Sequence, residues 1–214
     1  MDWPLLAGLS EDDRREILQR MGRRRYRRGE VVFHEGDPGD GLHMIAQGKL
    51  MARASTPLGD EAALSIMGPG EVFGEMILFD RDARRSASII AIEHAETRVL
   101  LMHDVERLRR THPAIDRFLI DVLAERVRNL TTKLLEALHV SADIRVMRTV
   151  LYLDGIYGDA VPIPFRQDDI AAMAGTTRST ANRRLKWAER AGILRLGRGR
   201  VTVVDRAGLE LVAR

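Results

Sequence analysis

Residues 167–186 read QDDIAAMAGTTRSTANRRLK, and this stretch decides the fold of the C-terminal third. At helical spacing Ile170, Ala171 and Ala174 form one short apolar face. Gly175 interrupts it, and a glycine takes a positive φ without steric cost. Thr177 is a good N-cap for a second helix. Ala181, Leu185 and Ala188 line the inner face of that helix. Its outer face shows Arg178, Ser179, Asn182, Arg183 and Lys186; with Thr177 at its start, these are the candidate DNA contacts. Small residues at Ala171, Gly175 and Ala181 let the two helices cross closely and steeply. That is the helix-turn-helix requirement, in which the second helix enters the major groove. The competing reading is an ordinary helix pair with a solvated, Arg-rich face. The residues after Ala188 weigh against it. Residues 193–196 and 200–204 read as two short strands around Gly197-Arg198-Gly199. A hairpin after the recognition helix makes a winged helix-turn-helix, and Arg198 and Arg200 at its tip suit phosphate contacts.

Charge follows the same division. Residues 143–214 carry 13 Lys and Arg against 8 Asp and Glu, whereas residues 1–142 carry 21 against 23. A basic end on a mildly acidic body fits one nucleic-acid-binding part and one part with another task. The 214 residues suffice for one large or two modest domains. Cysteine is absent, which excludes disulfides, thiol catalysis and cysteine-ligated metal centres. No apolar run approaches the roughly 20 residues of a membrane span, and residues 1–13 carry no basic-then-apolar leader pattern. A soluble cytoplasmic protein with no membrane partner is the expectation.

Upstream, residues 5–21 read as a short amphipathic helical region, with Ser10-Glu11-Asp12-Asp13 offering a cap and acids for its first turn. The basic run RRRYRR at 23–28 reads as an exposed edge and first strand. From 29 to 102 the period changes to two. Apolar stretches at 31–34, 42–46, 49–54, 62–67, 86–92 and 97–102 alternate with turn signals at 36–40, 47–48, 57–60, 68–70 and 93–94. Many short strands at this spacing predict an all-β sandwich or barrel.

One interruption stands out. Residues 74–79, GEMILF, read as a single helical turn, followed by a charged loop at 80–84 and then Arg85-Ser86-Ala87. A one-turn helix leaves its N-terminal N–H groups free for an anion. Arg85 can bind a phosphate bidentately and Ser86 adds a hydroxyl. Beside a phosphate, Glu75 makes sense only as an acceptor for a sugar hydroxyl. Gly74, Glu75, Arg85 and Ser86 thus describe a ribose-phosphate pocket. A Glu75–Arg85 salt bridge that closes the barrel without a ligand explains the same residues equally well.

Residues 113–138 hold no glycine and one proline, at the start where proline is tolerated. Leu119, Leu123, Val127, Leu130, Leu134 and Leu138 step at near-heptad spacing. Such a stripe either lies on its own barrel or pairs with a second copy. About 26 residues span roughly 39 Å, longer than a small barrel, and helix-turn-helix proteins commonly bind DNA as dimers. Both points favour a dimer helix. Val140-Ser141-Ala142-Asp143 breaks the stripe as a hinge; residues 144–153 resume as helix, 154–164 form a loop and short strand, and 205–214 a short tail.

The order barrel, one-turn helix with Glu and Arg-Ser, long helix, winged helix-turn-helix resembles the family of the catabolite activator and FNR-type (CRP/FNR) regulators, across roughly residues 5–204. GEMILFDRDARRSA, residues 74–87, resembles the family's phosphate-binding cassette in its cyclic-nucleotide form. By that resemblance Glu75 takes the ribose hydroxyl, and Arg85, Ser86 and the Gly74–Glu75 backbone take the cyclic phosphate. Arg178 and Arg183 fall where the family's base-reading arginines fall, while Ser179 stands in place of an acidic reader, which implies an altered operator. In the cyclic-AMP binders a Thr-Ser pair on the long helix contacts adenine; Leu130 and Thr131 fall there, so Thr131 is the polar match.

The resemblance implies an α+β chain with three parts: a cyclic-nucleotide-binding-type β jelly-roll barrel at 1–112, a dimerisation helix at 113–139 and a winged helix-turn-helix domain at 143–214. It implies a sequence-specific transcription regulator and no enzyme. The effector would be cAMP or another cyclic nucleotide, with no metal, acting on a homodimer that binds a palindromic double-stranded operator and meets RNA polymerase. A ligand-free regulator of the same fold is the alternative. A small β-barrel enzyme is remote, because no nucleophile–base pair stands out and His34-Glu35 is isolated from His43 by loop glycines.

Overall fold

The computed structural model describes residues 3–55, 61–79, 82, 84–158 and 161–214. The chain forms two compact units, one of residues 1–60 and 64–128, the other of residues 61–63 and 129–214.

The first unit opens with a 3₁₀ turn, Pro4–Leu6, and helix α1, Glu11–Arg20. Ser10 caps α1 by accepting from the Asp13 N–H, as its position in the sequence predicts. Among the described residues the strands are β1 Gly22–Tyr26, β2 Val31–Phe33, β3 Gly41–Gln47, β4 Leu50–Ser55, β5 Glu61–Met67, β6 Val72–Phe73, β7 Ser88–Ala91 and β8 Ala95–Leu101. They form two four-stranded sheets, in the orders β1-β8-β3-β6 and β2-β7-β4-β5. Ile45, Phe73 and Ala95 of the first sheet meet Leu50, Ala52, Met67, Ile89 and Ala91 of the second in one core. The opposite face of β3, with Leu42 and Met44, packs under Trp3, Leu6, Ile17, Val105, Leu108, Ile115 and Leu119. Strand β3 is therefore buried on both faces, which is why it reads as a continuous apolar run.

Helix α2, Met102–Thr111, follows β8 directly. It supplies Val105 and Leu108 to that core at helical spacing and goes beyond the strands and long helix expected there. Strand β6 is also additional: two residues are too few to show a period. The expected turn at 57–60 lies outside the described residues, as does most of the charged loop at 80–84.

Helix α3 runs Pro113–His139. Leu119, expected on a dimer stripe, is instead buried in its own unit's core. Val127, Leu130, Leu134 and Leu138 are exposed, together with Ile120 and Leu135. The first turns of the helix thus serve the barrel, and the exposed apolar stripe begins further along.

In the second unit Ser141 caps α4, Ala142–Tyr157. The helix continues past the loop start expected at 154: Asp154 is buried and bonded to Arg206 Nη1 at 2.9 Å, and Gly158 at φ 94° ends the helix. Then come α5 Gln167–Met173, α6 Arg178–Arg190, and the hairpin β9 Leu194–Gly197 with β10 Arg200–Val203. The tail expected at 205–214 is helix α7, Arg206–Val212, capped by the Asp205 carboxylate on the Gly208 N–H. Its Leu209 is fully buried.

Candidate functional site

The first candidate site is built around a glycine. Gly74 follows β6 with φ 81°, and a Cβ there would collide with Arg85 Nη1. Only glycine fits both the left-handed backbone and the close approach of the guanidinium. A 3₁₀ turn, Glu75–Leu78, follows at once.

The structure brings Gly74, Glu75 and Arg85 together, but not as a Glu75–Arg85 salt bridge. Arg85, 3% exposed, donates from Nη2 to Asp40 Oδ1 at 2.7 Å and from Nη1 to Gly41 O at 3.1 Å and Gly74 O at 3.2 Å. Its guanidinium also lies 4.0 Å from the centre of the Phe33 ring. Glu75 pairs with Arg126 of α3, Oε1 to Nη1 at 2.8 Å. Arg126 Nη2 also donates to Val72 O at 3.2 Å. Asp40 and Arg126 are remote in the chain from residues 74–87, and no local pattern in the sequence ties them to it.

Glu75 has no solvent exposure, and its carboxylate is held by the Arg126 ion pair on Oε1 and by its own backbone N–H. Arg85 Nε is buried without a partner. Burial pushes the Glu75 carboxyl above the ordinary carboxylate range, against the opposing charges of Arg126 and Arg85. Asp40 stays below that range: burial raises it, but the Arg24 hydrogen bond and the charges of Arg24 and Arg85 outweigh burial. His43, stacked on Phe73 at 4.8 Å, is pushed down to about 3 by burial and by Arg85. It is neutral at pH 7 and adds no charge. A buried carboxylate in the turn that also holds a buried guanidinium fits a ligand that carries hydroxyls near an anion. Ser86 is exposed, next to Arg85, and Thr131 is exposed on α3 in the second unit. Among the described residues no group of three or more His, Asp or Glu could hold a metal ion.

The second site is helix α6. The Thr177 hydroxyl accepts from the Thr180 N–H at 3.3 Å and lies 2.9 Å from the Ser179 hydroxyl. Ala181, Leu185 and Ala188 are fully buried, as the spacing predicts, and Gly175 at φ 58° makes the turn. Arg178, with 75% of its side chain exposed, pairs with Asp168 at 2.9 Å; Arg183, with 70%, pairs with Asp143 at 3.1 Å. Asn182 is half-buried and donates to Gln167 Oε1. Lys186, Arg198 and Arg200 are exposed. Arg184 folds over the Trp187 ring at 3.8 Å, so it is packed against its own helix. Exposed pairs of this kind are worth only about 0–1 kcal/mol, so phosphate or base atoms can displace them.

The chain matches the family model of the cyclic nucleotide-binding domain over residues 23–112 and that of the Crp-like helix-turn-helix domain over residues 144–212. It is 36% identical over 210 residues to the cyclic AMP receptor protein of Thermus thermophilus, covering 98% of this chain and 96% of the relative. It is 34% identical over 196 residues to the CRP-like cAMP-activated global transcriptional regulator of Mycobacterium tuberculosis, covering 87% and 86%. Among solved structures, the Thermus thermophilus catabolite activator protein aligns over 98% of each chain at 34% identity, with a TM-score of 0.56. A crp/fnr family regulator from Eubacterium rectale shares the fold at a TM-score of 0.85 and 19% identity, over 99% of this chain and 98% of that one. No helix among the described residues is long and apolar enough to cross a membrane.

Proposed function

The chain belongs to the CRP/FNR family of DNA-binding transcription regulators, and from that premise we propose that cyclic AMP, bound in its barrel, switches a homodimer between weak and strong operator binding. The observation that carries this reading is Glu75, a fully buried carboxylate in the same turn as Gly74, whose carbonyl the buried Arg85 binds. A ribose hydroxyl would add a donor to the Glu75 carboxylate, and Arg85, bonded to the neighbouring Gly74 carbonyl, would be the cation for the cyclic phosphate. Gly74 and Ser86 would complete the anion site, and Thr131 is the candidate for the base. The Thermus and Mycobacterium relatives, both named for cyclic AMP, are more than 30% identical to this chain, which favours that nucleotide.

Two copies would pair through the exposed Val127, Leu130, Leu134 and Leu138 of α3. Each would present α6 to one major groove of a palindromic operator, the half-sites about 34–36 Å apart. Arg178 and Arg183 would read base edges, Thr177, Ser179, Asn182 and Lys186 would support them, and Arg198 and Arg200 of the wing would hold phosphates. Nucleotide acts only through its better binding to the DNA-competent arrangement. The protein would work in the cytoplasm, where it meets RNA polymerase.

A second reading has its own observation. Arg85 already has Asp40, Gly41 O and Gly74 O as partners, which fits a barrel that needs no ligand. Calorimetric titration with cyclic AMP and cyclic GMP, on the full chain and on Arg85→Ala, separates the two. Saturable binding of cyclic AMP that the variant loses supports the switch. No heat with either nucleotide supports the ligand-free regulator.

A further inference from the structure

One arginine grips two helix ends at once. Arg145 Nη1 donates to Val140 O at 2.7 Å and lies 3.4 Å from Ala137 O, at the end of α3. Its Nε donates to Ala174 O at 2.9 Å and its Nη2 to Gly175 O at 2.9 Å, at the end of α5. The last carbonyls of any helix lack intrahelical partners and carry partial negative charge. A planar guanidinium with five N–H donors can cap two such ends together; an ammonium cannot span them in the same way. The residue sits in the first turn of α4, where its own N–H bonds to Ser141 O at 3.0 Å. Three helices therefore meet on one side chain. Arg148, one turn on, bonds the Glu136 carboxylate of α3 through Nη1 and the Ala213 carbonyl at the end of α7 through Nε, both at 2.8 Å.

The carbonyls of Ala174 and Gly175 lie in the turn that sets the angle between α5 and the recognition helix. We infer that Arg145 is a positioning residue of the DNA reader: by capping α3 and α5 together it fixes the orientation of α6 relative to the end of the long helix. It needs no contact with DNA, and it holds whether or not a nucleotide is the effector. A dimer can match two grooves only if each α6 keeps a fixed orientation on its α3.

The chain has no cysteine, so engineered pairs take spin labels cleanly. Labels at His139→Cys and Arg190→Cys, both at exposed positions, report α6 against the end of α3. Labels at Arg190→Cys and Leu211→Cys report the inside of the DNA-binding part. Full-length labelled protein, diluted into unlabelled protein, gives the distances within one protomer. A single narrow distance is expected for the first pair. It should broaden in Arg145→Met, and less in Arg145→Lys, while the second pair stays unchanged. If about a tenth of the Arg145→Met molecules hold the competent orientation, operator affinity falls about tenfold, with non-operator binding much less affected. An unchanged first pair in Arg145→Met overturns the inference. So does broadening of both pairs, which would make Arg145 a residue of the fold alone.

Discussion

Glu75 is the residue on which the proposed nucleotide site turns. Burial raises its carboxyl above the ordinary range, with Arg126 and Arg85 pulling the other way. The ionised form is the better acceptor for hydroxyls, so cyclic AMP affinity should climb as pH rises through the raised value. Glu75→Gln should flatten that climb and weaken binding at neutral pH; calorimetry across pH checks it, and parallel profiles for both proteins would contradict it. The same shift has a sign for stability. A carboxyl raised on folding stabilises the fold fully below its unfolded value, and this contribution is lost as pH rises through the folded one. The ligand-free barrel should therefore lose melting temperature over that window, and Glu75→Gln should not. On the DNA side, Arg183→Ala should cost about 1–3 kcal/mol at one base pair if the side chain reads guanine. Binding to operators changed one position at a time measures this. A uniform loss on every sequence would make Arg183 a phosphate contact.

At the scale of elements, the capping threonine and the exposed stripe each give a test. Thr177→Ala removes the acceptor for the Thr180 N–H and should lower stability by about 0.5–2 kcal/mol, seen as an earlier denaturation midpoint. Leu130→Glu with Leu134→Glu places charges on two exposed apolar positions of α3. The doubly substituted protein should sediment as a monomer while keeping its barrel's spectrum. A dimer of unchanged strength would remove α3 from the interface. These same elements explain how far the sequence alone was legible. Helices α5 and α6 were legible because their signals are local: a glycine turn, a capping threonine, apolar residues three and four apart. The 3₁₀ turn at Glu75–Leu78 and its Arg85-Ser86 neighbour were legible for the same reason. Asp40 and Arg126 were not, since only the closed barrel brings them to Arg85 and Glu75. Strand β6 is too short to carry a period, and Leu119 shares its spacing with the exposed leucines although it is fully buried. Helix α7 did leave a sign in the sequence, the Asp205 cap, set before a run too short to look periodic.

Across the whole molecule, charge and chemistry divide along the chain. The last 72 residues, 143–214, hold the excess of Lys and Arg, and they carry the helix-turn-helix match. The residues before them hold the buried Glu75 and Arg85. Phosphate neutralisation by exposed Lys and Arg should make operator binding fall steeply with salt, and the slope should shrink in Arg198→Ala with Arg200→Ala. For a switch, occupancy of the first site must alter the second. The most direct measurement is operator affinity of the full-length protein with and without cyclic AMP at fixed salt, repeated on Arg85→Ala. A coupling of about 1–3 kcal/mol, that is roughly 5–150-fold tighter binding, lost in the variant, is the predicted result. Equal operator affinity with and without cyclic AMP in the unaltered protein would contradict the account.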